Sequence, residues 1–127
     1  MDDQKLCDIL QEMSNQDQKY RSLMSEEIDQ KVRDSLFEIQ KEIDVHNTQL
    51  LIEIVESRGW PKQDSLRCEE FGSPLVIFRH APESYFNRIQ ILIDRELEEG
   101  RIGNLDHAFI EDHLNGRPGM PFEIVEE

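Results

Sequence analysis

Ile54-Val55-Glu56-Ser57-Arg58-Gly59-Trp60-Pro61 is the stretch whose reading decides the fold. Glycine supplies the left-handed residue that closes a helix, and proline cannot donate the hydrogen bond that would continue it. A helix therefore ends at Gly59. Upstream of it Ile28, Val32, Leu36, Ile39, Ile43, His46, Leu50 and Ile54 step by three or four, which predicts one long helix with its apolar stripe facing inward throughout. Ser25 followed by Glu26 and Glu27 predicts its start, with a capping hydroxyl and acids placed where the helix dipole favours them. Trp60, the only tryptophan, is expected to pack back over Val55 as core; the rival reading makes it an interface anchor with Phe71 and Phe122.

Further upstream, residues 2–24 carry Leu6, Ile9, Leu10, Met13, Tyr20, Leu23 and Met24 at mostly helical spacing, with a break expected near Ser14-Asn15. Downstream, residues 62–72 have no period and read as a loop. Ser73-Pro74 and then Pro82 each open a helix. Leu75-Val76-Ile77-Phe78 between them is apolar all round, so it is also compatible with a short buried strand. Residues 83–99 hold Tyr85, Phe86, Ile89, Leu92, Ile93 and Leu97 on one side before Gly100. A last helix runs from Asn104 to Gly116, and residues 117–127 read as an extended tail or short strand. The expectation is an all-α fold: a compact single domain spanning 1–127, a bundle of five or six helices with a long second helix.

The chain has 127 residues, the length of one domain. It is 37% hydrophobic and 33% charged, which predicts a lean core under a charge-crowded surface. Its 28 acidic and 14 basic residues leave a net charge of −14. That balance opposes direct nucleic-acid binding, which is built from Lys and Arg neutralising phosphates. It fits either a protein kept apart from its neighbours by self-repulsion or one steered towards a basic protein partner. No apolar run suits a signal peptide or a membrane span. Cys7 and Cys68 stand far apart with neither a Cys-x-x-Cys pair nor a histidine cluster nearby, so they read as reduced thiols in a cytoplasmic protein.

Five short motifs recur in order: Asp17-Gln18-x-x-Arg21, Asp44-x-x-Asn47, Gly59-Trp60-Pro61, His80-Ala81, and Ala108 with Asp112. Together, from about residue 10 to residue 118, they resemble an uncharacterised family of small bacterial helical domains. The resemblance implies a helical fold and a candidate cleft rather than a reaction. Members usually carry glutamine before the histidine, arginine after the last aspartate and a terminal Gln-x-Tyr-Gly-Thr-Gln-like segment. This chain has Arg79, His113 and Phe122-Glu123-Ile124-Val125 at those places.

As chemistry, Asp17 and Arg21 are neighbours on one helical face, where such a pair contributes about 0.2–0.5 kcal/mol unless Arg21 reaches inward to a carboxylate such as Asp44 or Asp112. Asp44 and Asn47 lie beside the apolar stripe and need partners, of which His80 is one candidate. The set Asp17, Arg21, Asp44, Asn47, His80 and Asp112 is therefore either an interhelical network or a polar cleft whose Asp, His and Asn could orient a water or bind a metal. His107 and His113 are six apart, and no Glu-x-x-His or His-x-x-x-His spacing appears, so neither a metal site nor a cofactor is expected. Ser73, Cys7 and Cys68 lack an adjacent base, and no catalytic residue is assigned. Two functions follow from these readings. One is a small acidic binding protein that docks a basic partner in the manner of an immunity or antitoxin-like inhibitor; the other is a small hydrolase-like or ligand-binding domain.

Overall fold

The computed structural model describes residues 2–116. Among these it is all-α, with no strand, and its elements are α1 (Asp3–Glu26), α2 (Gln30–Arg58), α3 (Gln63–Leu66), α4 (Pro74–Arg79), α5 (Phe86–Glu98), entered through a 3-10 turn at Glu83–Tyr85, and α6 (Asn104–Leu114). The tail expected over 117–127, with Phe122, lies outside the described residues.

The long second helix ends as its sequence requires. Gly59 has φ +84°, and its N–H closes the helix on the Val55 carbonyl. The beginning differs from expectation. Ser25 turns its hydroxyl back onto the Ser22 carbonyl, and Asp29 caps α2 by accepting from Lys31 and Val32. A carboxylate that can reach two open backbone donors outcompetes a hydroxyl still inside the preceding helix. No break occurs at Ser14-Asn15, because the Asn15 side chain accepts from Gln11 one turn earlier and leaves the backbone ladder intact. The loop expected over 62–72 contains α3, and the apolar run after Ser73 is the helix α4, not a strand.

α1 and α2 form an antiparallel hairpin, and α4, α5 and α6 gather on its base. Leu6, Leu10 and Met13 of α1 meet Leu51, Ile52 and Val55 of α2, with Phe78 of α4, Ile89 and Ile93 of α5 and Ile110 of α6 filling the centre. Trp60 is 6% exposed and packs on Phe78 with ring centroids 5.8 Å apart, so it is core. The face of α2 that enters the core carries Gln40, Asn47, Thr48, Leu51, Ile52 and Val55 rather than the expected stripe, of which only Ile54 is buried; His46 is exposed, and Val32 and Ile39 are 43% and 41% exposed. The helix outruns the elements that could cover it.

Cys7 and Cys68 are joined in a disulfide, with Cα atoms 5.6 Å apart, which corrects the expectation of reduced thiols. Spacing along the chain hid the pair, because 61 residues of chain separate two positions that α1 and the segment after α3 bring together. Beside this link Gly72 passes so close to α1 that a Cβ there would meet the Leu10 carbonyl. The disulfide and the glycine hold the segment 67–72 flat against the first helix.

Candidate functional site

Asp17 sits at the last buried turn of α1 and is 1% exposed. A carboxylate so placed needs charged or hydrogen-bonding partners, since burying it alone is prohibitively costly. It has three: Gln18 donates to Oδ2, Arg21 Nη1 lies 3.0 Å from Oδ1, and His80 Nδ1 donates to Oδ1 at 2.8 Å. Arg21 also holds the Asp17 carbonyl at 2.7 Å and grips Asp44 of α2 with both terminal nitrogens, at 3.1 and 2.7 Å. Gln40 completes the Asp44 shell at 3.0 Å. Four of the six residues singled out from sequence, Asp17, Arg21, Asp44 and His80, thus form one bonded network tying α1, α2 and the end of α4. The partner of His80 is Asp17, not the Asp44–Asn47 pair.

The other two stand apart. Asn47 is buried one turn further along α2, where its amide donates to the Met13 carbonyl at 3.3 Å while its oxygen has no hydrogen-bond partner. It lines a groove of about 420 Å³ with Ile9, Met13 and Leu50. Asp112 of α6 pairs with Arg79 at 3.7 Å, and Arg79 also holds the Phe109 carbonyl and lies over the Phe109 ring. Arg79 directly precedes His80 in the chain. Of the expected interface residues, Trp60 is buried and Phe71 is partly buried against the core.

The Asp17–His80 contact is chemically suggestive. A buried carboxylate that accepts from Nδ1 fixes the ring orientation and turns Nε2 away from it. Among the described residues Nε2 makes no hydrogen bond, and the side chain is partly exposed. Against this, among the described residues no nucleophile and no oxyanion-type donor pair converges on it.

A second polar centre escaped the sequence reading. Glu96 of α5 is fully buried and accepts from the Trp60 N–H at 2.6 Å, from Arg101 at 2.9 and 2.7 Å, and from Arg95 at 3.2 Å. The Arg101 hydrogen bonds, followed by the Trp60 N–H, hold its carboxyl below the usual range against the opposing effect of burial. Glu96 thereby clamps the Gly59-Trp60 corner onto α5. Its signal was faint, because Glu96 sits among Arg95, Glu98 and Glu99 and reads as solvent face. Asp106, beside a hollow of about 390 Å³ lined by Trp60, Pro61, Phe71 and Ser73, has the opposite shift: burial pushes its carboxyl up.

On α5 and α6 Asp94, His107 and Glu111 bring their ligand atoms within 4.8 Å of one another. Gln90 donates to both carboxylates and His107 donates to Asp94, so these groups already satisfy each other. Compared with family models, curated proteins and solved structures, the chain matches none of them.

Proposed function

We infer that the protein is a small acidic binding protein that docks a basic protein partner, as immunity or antitoxin-like inhibitors do. The observation that carries this reading is where the arginines go. Arg21, Arg58, Arg79, Arg88, Arg95 and Arg101 are each engaged with carboxylates of the fold itself. Exposed acids such as Glu42, Glu53, Glu69, Glu70 and Glu98 form no ion pair among the described residues. Lys5, Lys19, Lys31, Arg33, Lys62 and Arg67 also form no ion pair among the described residues, but with 28 acidic against 14 basic residues the surface potential is set by carboxylates, an arrangement that speeds encounter with a basic surface and disfavours acidic ones. The same potential speaks against nucleic acid as a direct ligand. No described helix is long and apolar enough to cross a membrane.

The cytoplasmic expectation rested on reduced thiols. With Cys7 and Cys68 joined, an oxidising compartment is the better-supported place of work. The resemblance to small bacterial helical domains is retained in this reading, supported by the bonding of Asp17, Gln18, Arg21, Asp44 and His80 of its motifs into one network. The test is affinity capture from the native host with the tagged, oxidised protein, followed by mass spectrometry. A stoichiometric basic protein supports the reading, and its absence at every salt concentration sinks it.

The Asp17–His80 pair favours a second reading, a ligand-binding or hydrolase-like domain using His80 as a base. It predicts a ligand whose thermal stabilisation of the protein disappears in His80→Ala while the helical signal is kept.

A further inference from the structure

Beside the Gly59-Trp60-Pro61 corner lies a hollow of about 390 Å³, at the small end of the range for ligand sites. Its aromatic walls are pinned. Trp60 is held by the bond from its N–H to Glu96, and Phe71 by Gly72, seated on α1, and by the Cys7–Cys68 link just before it. Pro61 and Pro74 add two rigid rings. Two carboxylates complete the lining: Asp64 of α3, which is exposed, and Asp106 of α6, which is partly buried. Asp106 stands in the first turn of α6, where an acid commonly reaches back to the open N–H groups of the helix start. This one does not. It makes no hydrogen bond or ion pair among the described residues, and burial alone pushes its carboxyl up. The cation of the lining, Lys62, donates instead to the Gly100 carbonyl at 3.3 Å.

We propose that this hollow is a socket for one arginine side chain of the basic protein partner, its guanidinium paired with Asp106 and its stem lying between the apolar walls. The proposal rests on the basic-partner reading for the source of that arginine, and on the hollow for its chemistry. A partly buried carboxylate with no donor beside it selects a cation over an anion or a neutral group. The aromatic and proline rings around it select a cation with an apolar body. Guanidinium fits better than ammonium. It is planar and more weakly hydrated, and it meets a carboxylate through two parallel N–H donors while lying against aromatic rings. Because the walls are fixed before binding, entry orders little of the protein. Asp64 adds a second negative charge at the exposed edge of the hollow.

Capped tripeptides with arginine, lysine or citrulline at the centre, titrated into the full oxidised chain and followed by amide chemical shifts, test it. The arginine peptide is expected to shift the Trp60, Phe71 and Asp106 signals saturably. Citrulline, the uncharged isostere, is expected to bind at least about tenfold more weakly, the loss of a charge-assisted pair, with lysine between the two. Asp106→Asn keeps the shape of the side chain, and it is expected to weaken the arginine peptide by a similar factor with an unchanged circular dichroism spectrum. Four results overturn the socket: no saturable shift at these residues, a citrulline peptide that binds as well as arginine, a lysine peptide that binds as well, or arginine binding undiminished in Asp106→Asn. None of them touches the basic-partner reading, which stands or falls on capture by the whole acidic surface.

Discussion

Glu96 concentrates the residue-scale argument. Its carboxylate takes the one backbone donor that Pro61 and the end of α2 leave exposed at Trp60, and two arginines neutralise it. Glu96→Gln is expected to destabilise the fold by roughly 1.5–3 kcal/mol, the range for hydrogen bonds to a charged group. Chemical denaturation at neutral pH measures this directly. Because its carboxyl is held below the usual range in the folded state, Glu96 contributes stability above that range and loses it as pH falls through the lowered value. The acid limb of the stability curve should therefore flatten in Glu96→Gln. Asp106 has the opposite sign: raised by burial, it opposes folding once ionised, so Asp106→Asn should gain stability at neutral pH and nothing in acid. The network at Asp17 was legible because Asp-x-x-x-Arg on one helix and Asp on the next are spaced for it. Glu96 was not, since nothing in a run of surface-like charges reveals which one the fold turns inward.

Helices were the most legible elements, and their junctions the least. Gly59-Trp60-Pro61 states a stop in three residues, whereas the start of α2 depended on which of Ser25 and Asp29 reached the open N–H groups, a contest settled by geometry. The same holds for the covalent link. Two cysteines 61 residues apart give no sequence signal, and only the docking of the segment after α3 on α1 brings them into range. Replacing both by serine should cost about 4 kcal/mol, from the entropy of opening a loop of that length in the unfolded chain. A melting curve in reductant should reproduce the double variant. Gly72→Ala should destabilise through the same junction, because its Cβ would collide with the Leu10 carbonyl oxygen and backbone would have to move. The expected shift in melting temperature is accompanied by easier reduction of the disulfide.

At the scale of the whole molecule, composition announced a lean core and an acidic surface, and both are present: one cluster centred on Phe78, with carboxylates over the outside. What composition could not announce is which charges the fold pairs internally: six arginines sit on carboxylates of the fold itself, while the net charge of −14 stands from composition alone. The decisive measurement is the association rate of the captured basic partner between about 50 and 500 mM salt, across which the Debye length shrinks from beyond 10 Å to near 4 Å. The account predicts a fall of at least about tenfold, with dissociation changing much less. A rate indifferent to salt would contradict it, because the carboxylate surface would then play no part in bringing the two proteins together.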